Sequence, residues 1–251
     1  MVSRYKELDA LRGIAAMFVV FFHFTMWQEV TKLGFKLGVT GVDLFFMISG
    51  FVIFMSIRKV SSVLEFSINR FCRLYPTYWT CVSFTFLAQV IVAYLQPKTG
   101  SFPVLNYLGN MTMFQYYFKM PDIDGPYWTM IVEMLFYALI ALIFSLKKLK
   151  YIIPIGLSIL VLASINNIWF EQSFHILQKA QTHFPLLVHF PLFLAGIVFY
   201  KLKSSSATYK QKVVYWFCIV ACYAITLVLV NQGGRSLQFI SFKEYAGVLS
   251  V

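Results

Sequence analysis

Charge is scarce in this chain, and acidic charge most of all. Asp and Glu total 10 among 251 residues, and charged residues of both signs make up 12%. A soluble domain carries about 25% charged residues. A water-soluble globule of this size would lack polar surface, and a disordered chain would need far fewer apolar residues, so both classes are excluded. Cysteine is also sparse. Cys72, Cys81, Cys218 and Cys222 show neither metal-ligand nor disulfide spacing. Cys218 and Cys222, four apart in one apolar run, read as packing residues on a helix face. His175, His183 and His189 form no ligand pattern, so no metal site is expected. Repeats and low-complexity tracts are missing. The first apolar run has no small-residue cleavage site before its polar end, so it is expected to remain as a span.

What is present is apolar. Hydrophobic residues make up 59%, with 27 Phe and 15 Tyr, and mean hydropathy is +0.72. The expected fold is all-α: a polytopic transmembrane helix bundle, with residues 1–251 as a single domain in a lipid bilayer. A span needs about 20 mostly apolar residues. Seven segments qualify, roughly Leu11–Gln28, Val39–Ile57, Thr77–Leu95, Tyr127–Leu146, Tyr151–Phe170, Phe184–Tyr200 and Val213–Val230.

The net charge of +11 raises nucleic acid as a partner. The basic residues sit between apolar runs and form no patch, so that partner is rejected in favour of the positive-inside rule. The same rule places Val104–Phe118, an apolar stretch containing Asn106, Gly109, Asn110 and Gln115. If it lies at the outer boundary as a short helix, 14 of the 21 Lys and Arg fall inside and 7 outside. If it crosses, the bias reverses. The expectation is a cytoplasmic amino terminus in a bacterial inner membrane.

Three polar side chains fall inside spans: His23 in the first, Asp43 near the outer end of the second, and Glu133 about a third of the way into the fourth from outside. Ionisable groups there are costly and usually functional. Each alone also has a plain explanation: a packed His, a capping Asp, a Glu paired with a neighbouring helix. Arg12 and His23 are 11 residues apart, which at 100° per residue brings them within ~20° of one face. They are ~16 Å apart along the axis. Asp9, one turn before Arg12, can orient it. Arg70 and Arg73 share a face at i, i+3, and Pro76 follows closely. On a short cytoplasmic helix they suit a phosphate, because guanidinium grips bidentately. On the residues alone, a plain positive-inside loop or a lipid-phosphate anchor is the favoured explanation. Gly41 and Gly50 bracket Asp43 and Ser49 in GVDLFFMISG, where small residues permit close helix packing.

These stretches together resemble the acyltransferase-3 family of integral membrane O-acyltransferases, which includes bacterial polysaccharide O-acetylases. The resemblance is carried by ELDALRGIAAMFVVFFHF with Arg12 and His23, by GVDLFFMISGFVI, by FSINRFCRLYPTYW with Arg70 and Arg73, and by GPYWTMIVEMLFYALI with Trp128 and Glu133. PLFLAGIVFY is a weaker fifth match. The resemblance implies an enzyme moving an acyl group, most often acetyl, from cytoplasmic acyl-coenzyme A to a hydroxyl of an extracytoplasmic glycan or lipid-linked saccharide. It implies no permanently bound cofactor, with acetyl-coenzyme A serving as a substrate. It makes His23 the general base, with Asp43 or Glu133 as supporting carboxylate. Arg12, Ser49, Arg70, Arg73 and Trp128 become substrate-binding positions. Members of the family have more than seven spans, so the chain reads as shortened at its carboxy end. Two other readings remain open on the residues alone. One is a proton-coupled transporter or channel using the Arg12–His23 face; the other is an inactive remnant.

Overall fold

The computed structural model describes residues 5–26, 35–95, 104–169, 180–181, 183–203, 207–233 and 241–249. His175 and the basic residues Arg4, Lys32, Lys98, Lys179 and Arg235 of the inside–outside division lie outside the described residues. Every regular element among the described residues is helical. The order is α1 (Lys6–Thr25), a 3-10 turn (Phe35–Thr40) leading into α2 (Gly41–Ile57), α3 (Val63–Leu95), α4 (Val104–Met111), α5 (Trp128–Ser145), α6 (Ile152–Trp169), α7 (Leu186–Lys203), α8 (Tyr209–Gly233) and α9 (Phe242–Leu249). Among the described residues, six helical stretches are long and apolar enough to cross a bilayer, and Leu149–Ile165 is a shorter apolar one. Each of the seven expected segments thus falls on a helix among the described residues, in an all-α polytopic bundle.

Local sequence sets where several of these helices begin. Ser241 and Glu244 form a capping box at α9: the Glu244 carboxylate accepts from Ser241 N at 2.9 Å, and Glu244 N donates to Ser241 Oγ at 3.3 Å. Thr208 and Gln211 do the same at α8, at 2.9 and 3.4 Å. At α3, Glu65 N donates to Ser62 Oγ at 3.1 Å and its carboxylate accepts from Ser61 N at 2.8 Å.

The chain divides into two compact units. The first comprises residues 1–59 and 148–251. Its core is α2 against α7, with α8 also packed on α7 and α6 against both α7 and α8. Phe46, Ile53, Phe54, Leu192, Phe193, Leu194 and Ile197 fill the interior. In lipid, apolar side chains gain little from meeting one another, so van der Waals packing must hold the helices. The α2–α7 crossing is accordingly close: a Cβ on Gly50 would stand 2.0 Å from Phe193 O, and one on Gly196 2.0 Å from Met47 O. α1 behaves differently. It buries Ala15 and Phe22, two turns apart on one face, and exposes Ile14, Met17, Phe18 and Phe24, as a lipid-facing helix does. Cys218 and Cys222 are buried on α8, as their spacing implied, and are free thiols.

The second unit, residues 60–147, contains α3, α4 and α5. Two expectations are corrected here. α3 is one continuous helix through Pro76; it is not a short cytoplasmic helix followed by a span at Thr77. The helix expected over Val104–Phe118 ends at Met111. Its last carbonyls are taken up by side chains of α3: Tyr78 OH donates to Asn110 O at 2.8 Å, Trp79 Nε1 to Met111 O at 2.9 Å and Tyr75 OH to Thr112 O at 3.0 Å. Met113 then turns left-handed (φ 63°) with its side chain fully buried. Asn110 holds the returning chain, donating to Pro121 O at 3.0 Å and accepting from Ile123 N at 3.1 Å. Carbonyls at a helix end need such partners, and here distant aromatics supply them.

Candidate functional site

In the first unit, Arg12 and His23 both lie on the unbroken α1 and are both half-buried. The His23 ring meets Phe22 edge-on at 5.1 Å. Asp43 is 3% exposed, in the first turn of α2. Its level is set by Gly41, where an added Cβ would stand 2.7 Å from Ala15 O and 2.9 Å from Val19 Cγ2. Ala15 is the middle of α1, so Asp43 lies at the level of α1's centre. Asp43 stands near the start of α2, just after the 3-10 turn Phe35–Thr40. His23 is eight residues beyond Ala15, ~12 Å further along the axis. No hydrogen bond or ion pair joins His23 to Asp43 among the described residues.

Sequence reasoning gave no site role to two buried side chains of this unit. Tyr245, fully buried on α9, acts on the Asp43 carboxylate electrostatically. Hydrogen-bond geometry is not reached, and Asp43 Oδ2 and Tyr245 OH are both buried without a hydrogen-bond partner. The short helix is pinned there. Lys36 and Glu244 form an ion pair at 2.6 Å, and Tyr223 OH donates to Ala246 O at 3.2 Å. Lys36, then Ser241, hold the Glu244 carboxyl down at about 2. The second side chain is His189 of α7, 8% exposed, whose ring stands 5.1 Å from that of Phe46. Phe46 is one turn from Asp43. Ser49 is buried further along α2.

In the second unit, two positions singled out by the sequence converge. Glu133 of α5 accepts a hydrogen bond from Tyr137, one turn along the same helix. The Arg70 guanidinium of α3 lies over the Tyr137 ring at 5.9 Å and the Phe66 ring at 5.4 Å. Tyr137 is 5% exposed and Phe66 1%. Arg70 therefore turns inward, onto a phenol whose oxygen is tied to a carboxylate. Arg73 is exposed. The two arginines share a helix but have different surroundings, which the i, i+3 spacing did not distinguish. Tyr137 was missed by sequence reasoning, although its i+4 relation to Glu133 was the available signal. Trp128, half-buried, starts α5 after a turn in which Asp124 accepts from Gly125 N at 2.8 Å.

No group of three or more His, Cys, Asp or Glu side chains able to hold a metal occurs among the described residues. The chemistry on offer is acid–base: a half-buried imidazole, a buried carboxylate, and a phenol–carboxylate pair under a guanidinium.

Residues 5–249 match the family model of the acyltransferase domain of acyltransferase-3 proteins. Nodulation protein 10 of Rhizobium leguminosarum bv. viciae is 26% identical over 279 aligned residues, covering 97% of this chain and 71% of that protein. A protein of Acidianus two-tailed virus, named as an acetyltransferase, is 24% identical over 158 residues, covering 60% of this chain and 44% of its own length. No solved structure matches the chain.

Proposed function

Because this chain belongs to the acyltransferase-3 family, and is therefore a multi-pass membrane acyltransferase, we propose that it moves an acyl group, acetyl in the first instance, from cytoplasmic acyl-coenzyme A to a hydroxyl. The acceptor is an extracytoplasmic glycan or lipid-linked saccharide. The amino terminus lies in the cytoplasm and the membrane is the bacterial inner membrane. His23 is the base. It takes the acceptor's proton as the oxygen attacks the thioester carbonyl; the carbon–sulfur bond breaks, and the imidazolium returns the proton to the departing thiolate. A hydroxyl needs such a base, and imidazole titrates near neutral pH. A thioester is already activated.

The observation that carries this reading is the continuity of α1 from Lys6 to Thr25. An unbroken helix keeps Arg12 and His23 on one face, ~16 Å apart. That separation suits a donor whose phosphates stay at one end while its thioester reaches inward. Arg12 takes phosphate oxygens; the family resemblance gives the same role to Arg73, exposed on α3. Arg70, turned onto Tyr137, holds the Glu133–Tyr137 pair in place.

The test is transfer of radiolabelled acetyl from acetyl-coenzyme A in membranes carrying the chain, with His23→Gln beside the parent. Glutamine can hydrogen-bond but cannot accept a proton at neutral pH. The parent should label an acceptor and His23→Gln should not. Equal labelling by both removes the base assignment; no labelling by the parent removes the donor.

A further inference from the structure

The first unit contains a cavity of about 750 Å³ that the reading above does not use. Its walls come from α1, α2, α7 and α8, with Leu249 of α9 among them. Tyr5, Glu7 and Lys203 line one end, and Pro191, Thr226 and Leu249 line the other. Along α7, from Lys203 to Pro191, that is twelve residues or ~18 Å. One leaflet of the hydrocarbon core is about half of ~30 Å. The cavity is therefore as deep as a leaflet, and its volume falls within the usual range for a bound small molecule, about 300–1,000 Å³.

The walls decide what class of molecule fits. Beyond the mouth, the polar side chains are already occupied. Thr226 donates to Cys222 O at 2.8 Å, and Tyr223 donates to Ala246 O at 3.2 Å. Both hydroxyl protons are thus committed, and apart from the Cys222 thiol the remaining side chains there are apolar. Leu11, Phe199 and Trp216 line the cavity and are exposed as well, so it opens on the lipid-facing side. The mouth is different in kind. Lys203 Nζ is held 4.6 Å over the Tyr5 ring. Lys201, two residues away, sits 5.5 Å over Phe54, and Arg58 follows directly on α2. Lys203 and Glu7 line this end, and Lys201 and Arg58 stand close by and act on each other electrostatically.

We infer that this cavity binds one phospholipid, with an acyl chain lying along α7 and an anionic headgroup at Lys203. Apolar walls, leaflet depth, lateral opening and a basic mouth are what such a molecule requires. Polybasic surfaces gain roughly fivefold in affinity for anionic lipid per Lys or Arg.

The experiment is native mass spectrometry of the full chain, washed in delipidating detergent and then offered equal phosphatidylglycerol and phosphatidylcholine. The parent should carry one phospholipid, with phosphatidylglycerol preferred. Lys203→Gln should keep a phospholipid while its preference falls about fivefold. Ile219→Trp fills the cavity and should abolish the adduct. Leu11→Trp does the same from an exposed lining position, so a folding defect in one variant does not stall the test. A parent that carries no phospholipid, tryptophan variants that carry as much as the parent, or displacement of the lipid by acyl-coenzyme A would each overturn the inference.

Discussion

Gly196→Ala should weaken the protein more than any single methyl added elsewhere on α7. The new Cβ would stand 2.0 Å from Met47 O and 2.8 Å from Phe51 N, and both obstacles are backbone. Ordinary contact begins at 3.4 Å, so α2 and α7 must part by the difference, 1.4 Å. A Cβ on Gly50 would likewise stand 2.0 Å from Phe193 O, so the two helices are closely apposed at both glycines. Overpacking costs about 1–3 kcal/mol, and a backbone obstacle puts this case near 3. A gap of 0.5–1 Å already forfeits about a quarter to a half of each van der Waals contact. In a chain of this size about 3 kcal/mol lowers Tm by roughly 6–12 °C. The buried thiols of Cys218 and Cys222 give the readout, through a thiol-reactive dye in detergent after the exposed Cys72 and Cys81 are changed to Ser. Gly247→Ala is the control, since a Cβ there meets nothing within 4 Å and removing a helical glycine gains about 0.5–1 kcal/mol. If Gly196→Ala melts within about 2 °C of the parent, the close crossing is not what holds α2 to α7.

Tyr137→Phe removes the donor to Glu133 and should lower acetyl transfer by about 10- to 100-fold, the equivalent of a hydrogen bond to a charged group, with membrane insertion unchanged; full activity would make the pair structural only. Arg73→Ala should raise KM for acetyl-coenzyme A by a similar factor, while Arg70→Ala lowers kcat; the reverse split would exchange their roles. The Glu244 carboxyl, held at about 2 against an ordinary 4.5, contributes fully to the seating of α9 above pH 4.5 and loses that contribution as pH falls towards 2. Amide exchange in α9 should therefore quicken across that window in the parent and less steeply in Lys36→Ala, where Ser241 still holds the carboxylate, and identical profiles would rule out the ion pair as the anchor.

The spans were legible because span length and hydropathy are local properties. α2, α5, α7 and α8 could be located from composition alone, and the i, i+4 cysteines of α8 told which face turned inward. The end of α4 could not be read that way. Val104–Phe118 looked like one short helix, because the groups that stop it are Tyr75, Tyr78 and Trp79, some thirty residues earlier in the chain. Those three side chains share the α3 face that follows Arg73, and nothing in their spacing announces a helix end as partner. α9 was missed for a different reason. A search for runs of about 20 apolar residues passes over an eight-residue helix, although the Ser241–Glu244 capping box marks its start.

The site divides in the same way. His23, Asp43 and Glu133 stood out because a titratable group in a span is costly; that test sees one residue at a time. It cannot see that Asp43 sits at the level of Ala15, because the level is set by the backbone approach at Gly41. Nor can it see what a buried carboxylate faces. A buried polar atom without a partner is rare in folded proteins and demands an explanation. Here Asp43 Oδ2 and Tyr245 OH are both of that kind, brought near each other from opposite ends of the chain. One lies in the motif that carried the family resemblance and the other on α9. Glu133 shows the opposite outcome: its phenol partner is four residues away, the bond is made, and Arg70 closes over it. The two carboxylates that sequence treated as interchangeable supports for His23 are therefore in different states, one tied to a tyrosine and one left unsatisfied beside another.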